Sequence, residues 1–154
     1  MLSNSEKTKI LESQKWMFDK AAILEDVAKS DLEDRFKKVA EGAMNRLAFA
    51  TYKFSNGNTF ELDLNNGTNP YQGSYKFAPN GEFLEMGLEG RPMKSQKILS
   101  FSKDRIVLDS DKDNGIIFKK ILIPFDESKF KGNDKKMVIP KDAPRMKIET
   151  KEQK

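Results

Sequence analysis

The side chains available for chemistry in this sequence are carboxylates, amines, guanidinium groups and hydroxyls, because the chain contains neither Cys nor His. This composition excludes disulfides, Cys-based zinc sites, thiol nucleophiles and His-assisted triads. The carboxylates of Glu61, Asp63, Glu82 and Glu85 lie on the polar faces of alternating segments, where solvated surface charge is the expected state. We therefore predict that the protein is not an enzyme and has no catalytic residues.

Residues 109–115, with the sequence Asp-Ser-Asp-Lys-Asp-Asn-Gly, resemble the start of a calcium-binding loop. The glycine stands at the seventh position, whereas the sharp bend of such a loop needs it at the sixth. Lys120 occupies the twelfth position, where a calcium loop has a bidentate Glu. Asp-Asn-Gly is also a typical hairpin turn. We therefore predict a turn here, and no metal site or cofactor.

Three arginines could hold an anionic group, because a guanidinium pairs bidentately with a carboxylate. Arg46 ends a predicted helix, where a cation suits the helix dipole. Arg91 precedes a proline in a predicted loop, and Arg105 opens a predicted strand. Ordinary surface pairing is the alternative for each of them. Arg91 and Arg105 are retained as candidate anion anchors.

The elements that position these residues begin with a polar segment at residues 1–14, predicted as an arm or short helix. Residues 15–23 open with Trp-Met-Phe and predict a first strand. Apolar residues then recur at steps of three or four, which is the pattern of an amphipathic helix. Ser30 and Glu33 have the spacing of a capping box. These signals predict one helix at about residues 30–46.

From Leu47 onward the apolar residues alternate with polar ones, which predicts β-strands. Asn-Gly steps separate several of these segments and indicate tight turns. Together with the first strand, the predicted strands number eight. They cover residues 15–23, 47–54, 58–64, 71–77, 82–88, 96–101, 105–109 and 115–123.

A meander of eight strands has two exposed edges, which closure into a barrel removes. We therefore predict an all-β fold, an up-and-down antiparallel barrel at residues 15–123 with one amphipathic helix inserted after the first strand. An open sheet wrapped on the helix is the competing arrangement.

The basic excess of the chain lies mainly in its C-terminal segment. Residues 126–154 contain nine basic and six acidic side chains, and the remainder contains nineteen against eighteen. Because a nucleic-acid-binding protein concentrates positive charge on its folded face, we expect no nucleic-acid partner. Residues 124–154 are predicted to be a basic, largely flexible tail, and the protein is expected to be a monomer.

No apolar run approaches the roughly 18 residues of a membrane-spanning helix, so we expect no transmembrane segment. No signal-peptide pattern opens the sequence. The compartment therefore stays unknown: a cell-envelope or periplasmic location is expected if a signal precedes the chain, and a cytoplasmic one otherwise.

The order of motifs resembles the small bacterial lipocalin-like domains of the calycin group. The resemblance rests on Trp16 in the first strand, the helix after it, residues 51–60 (Thr-Tyr-Lys-Phe-Ser-Asn-Gly-Asn-Thr-Phe), residues 72–75 and residues 98–108. It implies a barrel in which Trp16 plugs one end and a basic residue of the last strand, Lys119 or Lys120, lies across it.

The resemblance also implies that the barrel interior holds a small hydrophobic ligand. The residues predicted to point inward are Tyr52, Phe54, Phe60, Leu62, Tyr75, Phe77, Leu84, Met86, Leu99, Phe101 and Phe118. These side chains line a cavity in the ligand-binding interpretation. In the alternative they fill a solid barrel, and the protein is an interaction module that contacts a partner protein through its loops or tail.

Overall fold

The computed structural model describes residues 2–130, which form a closed antiparallel β-barrel of eight strands with helices on either side of the first strand. The predicted all-β barrel is therefore confirmed. The strands are β1 Trp16–Phe18, β2 Thr51–Ser55, β3 Thr59–Asp63, β4 Tyr71–Phe77, β5 Phe83–Leu88, β6 Lys94–Phe101, β7 Ile106–Leu108 and β8 Lys120–Pro124. The helices are α1 Asn4–Glu12, α2 Lys20–Lys29 and α3 Asp34–Leu47.

Strand β1 closes the barrel, because it pairs with β2 on one side and with β8 on the other. It has only three residues, and all three are buried. Two backbone hydrogen bonds extend its pairing with β8: Asp19 N–H donates to Ile121 O at 2.9 Å and Phe125 N–H donates to Lys15 O at 2.8 Å. The seam is thus longer than the strand itself.

Helix α1 caps one end of the barrel, here called the closed end. Ser3 and Glu6 form a complete capping box at its start, and the hydrogen bonds from Ser3 lower the pKa of the Glu6 carboxyl. Asn4 Nδ2 donates to Ala78 O at 3.1 Å, and Lys7 Nζ donates to Gly81 O. Polar contacts to the β4–β5 turn therefore fasten the helix across the barrel end.

Two helices, rather than one, follow the first strand, and the predicted helix start at Ser30 is wrong. Asp19 caps α2 by accepting from Ala22 N–H, so residues 20–23 are helical instead of continuing β1. Ser30 ends α2, where its hydroxyl donates to Val27 O at 2.7 Å. Helix α3 begins at Asp34 without a side-chain cap. The predicted capping box is therefore absent: the Ser30 hydroxyl donates to α2 and accepts from Leu32 N–H in the connection, and α3 starts after Glu33.

Strand β6 contains a bulge that corrects the predicted position of Leu99. Ile98 pairs with Leu108 and Ser100 with Val107, so Leu99 is the extra residue of the bulge. A bulge shifts the alternation of side chains along a strand. Gln96 and Phe101 consequently both point inward, although their positions differ by five and would lie on opposite faces of a regular strand. Leu99 is 45 % exposed on the outer face.

The last predicted strand begins later than expected. Residues 115–119 lie outside β8, and only Ile116 forms a bridge, with Asp111. The segment before them forms a short 3-10 helix at Lys112–Asn114 that ends at Gly115 with φ of 80°. Of the predicted C-terminal tail, Pro124 is paired in β8, and Phe130 packs edge-on against Phe49. Residues 131–154 lie outside the described part of the chain.

Gly73 in β4 is required by the close approach of an aromatic ring. A Cβ at this position would lie 2.5 Å from Cζ of Phe60 and 2.6 Å from the carbonyl oxygen of Gly87. Phe60 is almost fully buried, and its ring crosses the face of β4 at the position where a side chain is missing. The glycine therefore allows a large ring to enter the barrel.

We expect Gly73→Ala to lower the free energy of unfolding by about 1–3 kcal/mol, because the added methyl group overpacks the core. Urea unfolding followed by circular dichroism measures this change. Ser74→Ala is the matched control, since Ser74 is the exposed neighbour in the same strand. An unfolding free energy for Gly73→Ala equal to that of Ser74→Ala would contradict the proposed role of the glycine.

Candidate functional site

A cavity of about 570 Å³ occupies the barrel end opposite α1, here called the open end. Its wall includes inward-facing residues of three strands, namely Tyr52 of β2, Phe60 and Leu62 of β3, and Met86 of β5. Phe18 of β1 contributes a further aromatic ring. These side chains face one space because β2, β3 and β4 pair in register and β5 continues the sheet.

Helix α3 covers the cavity with the small and aliphatic side chains of Val39, Ala43 and Leu47. These residues recur at four-residue steps and therefore share one face of the helix. Val39 is 57 % exposed, so part of this face meets solvent at the mouth. The helix seals the space only in part.

Two loops complete the rim of the open end. The β5–β6 loop contributes Arg91 and Pro92, and the segment before β8 contributes Ile116, Ile117 and Phe118. Arg91 and Pro92 are exposed, whereas the three residues of the other loop are half-buried. The rim therefore combines an apolar side with a charged one.

Lys120 brings a cation into this apolar space. Its cross-strand partner is Leu108, which is fully buried inside the barrel, and directly opposed residues share a face of the sheet. Lys120 Nζ donates to the hydroxyl of Tyr52 at 3.2 Å and lies 5.2 Å from the centre of the same ring. Both side chains line the cavity.

The remaining polar groups of the cavity are an amide and two further cations. Gln96 is buried, and its Nε2 donates to Asp109 O at 2.9 Å. Lys94 Nζ donates to Asn114 O at 3.2 Å, and Arg91 stands at the rim. Among the described residues, no Asp or Glu lines this cavity.

The predicted interior residues divide between the two barrel ends. Tyr52, Phe60, Leu62, Met86 and Phe118 line the cavity, the last of them from a loop rather than a strand. The other inward residues pack at the closed end: Phe54, Tyr75, Phe77, Leu84 and Phe101. The rings of Phe54 and Tyr75 meet edge to face with centres 5.2 Å apart. One end of the barrel is thus filled and the other is hollow.

Trp16 is fully buried at the closed end, but the two lysines expected across it lie elsewhere. Its Nε1–H donates to Leu11 O at 3.1 Å, so a helix carbonyl is the polar partner of the ring. Lys120 stands over Tyr52, and Lys119 pairs with Asp26 at 3.4 Å outside the cavity. Trp16 pairs with Pro124 at the far end of β8, which explains the separation.

The two candidate anion anchors also differ in position. Arg91 lies at the cavity rim, whereas Arg105 pairs with Asp19 at 3.6 Å and does not line the cavity. The prediction of Arg105 as an anion anchor is therefore corrected: its ion pair connects the residue before β7 to the start of α2. Arg46 is in the last turn of α3, as its sequence position indicated.

Sequence reasoning missed Lys120, Gln96 and Phe18 as cavity residues. For Lys120 a signal was present, because residues 118, 120 and 122 share one parity and Phe118 was predicted to point inward. Gln96 was hidden by the β6 bulge, which reverses the parity on which the prediction of Leu99 relied. Phe18 lay in a segment whose role as the closing strand depends on tertiary pairing.

The hydroxyl of Tyr75 is buried beside a carboxylate of α1. Tyr75 is 1 % exposed, and its hydroxyl donates to Glu12 Oε2 of α1 at 3.2 Å. Burial and the adjacent Glu12 carboxylate both disfavour the phenolate and raise the pKa of Tyr75 to about 12. The neutral hydroxyl therefore helps to hold α1 on the closed end.

Comparisons with known proteins give a structural neighbour of low identity. A DUF4847 family protein from Bacteroides vulgatus ATCC 8482 aligns with a TM-score of 0.45 and 10 % sequence identity, over 77 % of this chain and 96 % of that chain. No known family profile matches the sequence. No curated protein matches it either. No helix among residues 2–130 is long and apolar enough to span a membrane.

We expect the stability contributed by Tyr75 to be complete below about pH 10 and to fall above it by about 1.4 kcal/mol per pH unit until about pH 12. In this range the unfolded chain loses the phenolic proton, whereas the folded chain retains it. The measurement is the free energy of unfolding in urea at several pH values, for the wild type and for Tyr75→Phe.

The difference in stability between wild type and Tyr75→Phe should therefore shrink as the pH rises, because phenylalanine cannot titrate. Tyr71→Phe serves as the control, since Tyr71 is 46 % exposed on the same strand. A wild-type advantage that stays constant from pH 9 to about pH 11.5 would refute the assignment.

Proposed function

We propose that the protein is a non-catalytic, lipocalin-like binding protein that holds a small hydrophobic molecule in the open end of its barrel. The observation that carries this proposal is the cavity of about 570 Å³ beneath α3. Ligand pockets commonly have volumes of about 300–1,000 Å³ and are lined mainly by apolar and aromatic side chains.

The chemistry of the wall supports an apolar ligand. Phe60, Leu62 and Met86 present only hydrocarbon and thioether surface, and α3 adds aliphatic side chains from above. Removing apolar surface from water stabilises a complex by about 25 cal/mol per Å² before ordering costs are subtracted. Methionine adapts readily to ligands of different shape, so Met86 suits a site of broad specificity.

A non-catalytic role is proposed because two of the carboxylates considered for acid–base chemistry, Glu61 and Glu85, have surface partners. Glu61 accepts from Gln72 Nε2 at 3.1 Å, and Glu85 pairs with Lys76 at 3.9 Å. Both contacts connect neighbouring strands on the outer face of the barrel. The alternative of a solid interaction module requires a filled barrel, a condition that the closed end meets and the open end does not.

The proposal is tested with the neutral fluorescent probe N-phenyl-1-naphthylamine. We expect saturable binding that Ala43→Trp weakens by at least about tenfold, because an indole beneath α3 would occupy the cavity. Ala21→Trp is the matched control, since Ala21 is an exposed alanine of α2 and should leave binding unchanged. Unsaturable binding, or equal affinity of wild type and Ala43→Trp, would refute ligand binding in the cavity.

Chain length provides a second prediction. Decanol and dodecanol differ by two methylene groups, and each buried methylene contributes about 0.8 kcal/mol. We therefore expect dodecanol to bind about tenfold more tightly than decanol, as measured by displacement of the probe. Equal affinities would indicate that the alkyl chain is not buried.

A further inference from the structure

We propose that the ligand carries an anionic head group and that Lys120 and Tyr52 bind this group inside the open end. The inference rests on the proposed function, because it names the chemical class of the ligand for the same cavity. It depends on three observations on the described residues: the Lys120 side chain extends into the barrel, Lys120 and Tyr52 have unused hydrogen-bond donors, and the charged residues that line the cavity are all cationic.

Lys120 extends into the barrel instead of away from it. It is the first residue of β8, it is half-buried, and it stands opposite the fully buried Leu108. Its neighbour Lys119 points to the other side of the chain and pairs with Asp26. Within residues 2–130, Lys120 forms no ion pair. Its side-chain hydrogen-bond partner in the described part of the chain is the hydroxyl of Tyr52.

The hydrogen bond between these two cavity-lining side chains leaves further donors on both of them. An ammonium group has three donors and no acceptor, so the Tyr52 oxygen must be the acceptor of their contact. The hydroxyl proton of Tyr52 and two ammonium protons are then available to a ligand. A carboxylate or phosphate oxygen accepts such bonds strongly, because they are charge-assisted.

The charge of the cavity differs from that of the barrel as a whole. Lys120, Lys94 and Arg91 all line it, and no carboxylate of the described residues does. In contrast, the 125 residues preceding the basic C-terminal segment are nearly neutral, with nineteen basic and eighteen acidic side chains. A cation placed against apolar walls loses hydration, and a bound anion compensates for this loss.

The three cations are expected to contribute differently. Arg91 and Lys94 are exposed at the rim, where salt screens their attraction to an anion. Lys120 lies deeper and is half-buried, so its contribution is screened less. The rim cations therefore favour the approach of an anion, and the Lys120–Tyr52 pair determines the position of its head group.

The experiment compares ligands with the same alkyl chain and different head groups, at concentrations below micelle formation. Binding of dodecanoate, dodecyl phosphate and dodecanol to the full chain is measured by isothermal titration calorimetry. We expect at least one of the two anions to bind about tenfold or more tightly than dodecanol. Part of this preference should persist in about 0.5 M NaCl. The two anionic arms distinguish a carboxylate head group from a phosphate one.

Lys120→Met is expected to remove most of the preference for the anion, because it weakens anion binding far more than dodecanol binding: a charge-assisted hydrogen bond is stronger than a bond to a neutral hydroxyl. Lys119→Met is the matched control and should behave as the wild type. Tyr52→Phe should weaken anion binding severalfold and dodecanol binding less, since the donor it removes bonds more strongly to an anion than to a neutral hydroxyl.

Equal binding of anions and dodecanol by the wild type would overturn the head-group assignment while leaving the proposed function in place. An unchanged preference in Lys120→Met would overturn it as well, and so would equal effects of Lys119→Met and Lys120→Met. Failure of all three ligands to bind would instead refute the proposed function itself. Thermal unfolding of each variant establishes that it is folded.

Discussion

The barrel depends on the pairing of β1 with β8, because this contact alone joins the first strand of the meander to the last. Trp16 and Met17 of β1 pair with both β2 and β8, and Phe18 pairs with β8. Backbone hydrogen bonds before and after β1 extend its pairing with β8. Without it, β1 and β8 would present unpaired edges, which favour aggregation. The seam also positions both barrel ends: the chain enters it from α1 and leaves it into α2. The position of β1 therefore fixes where α1 and α2 lie relative to the barrel ends.

The two ends of the barrel differ in how densely their interiors are packed. At the closed end, aromatic rings fill the interior and α1 lies across them, held by bonds from Lys7 and Tyr75. At the open end, smaller side chains of α3 stand above a space that the strands do not fill. Dense packing stabilises a fold, whereas a ligand site needs room. Because the densely packed region and the cavity lie at opposite ends of the barrel, the packed end can stabilise the fold while the other end keeps room for a ligand.

The polar groups of the open end follow from the same geometry. Tyr52 and Lys120 are 68 residues apart in sequence, and they meet because β1 lies between β2 and β8 with both side chains directed inward. The hydroxyl and the ammonium group share one hydrogen bond and leave their remaining donors to the cavity. Closure of the barrel therefore forms the apolar cavity and also places the ammonium group of Lys120 inside it.

The sequence by itself determined the strand count, the turns and most of the interior, because alternation and Asn-Gly signals are local properties of the chain. It also indicated a helix after the first strand. The division into α2 and α3 was not predicted, since Ser30 has the residue type and spacing of a helix N-cap but ends α2. Leu99 was misplaced because bulges depend on cross-strand pairing. Only the tertiary structure decided which inward residues pack and which line a cavity, and which lysine enters the barrel. Those outcomes depend on strand register and closure, which bring together residues that no local pattern connects.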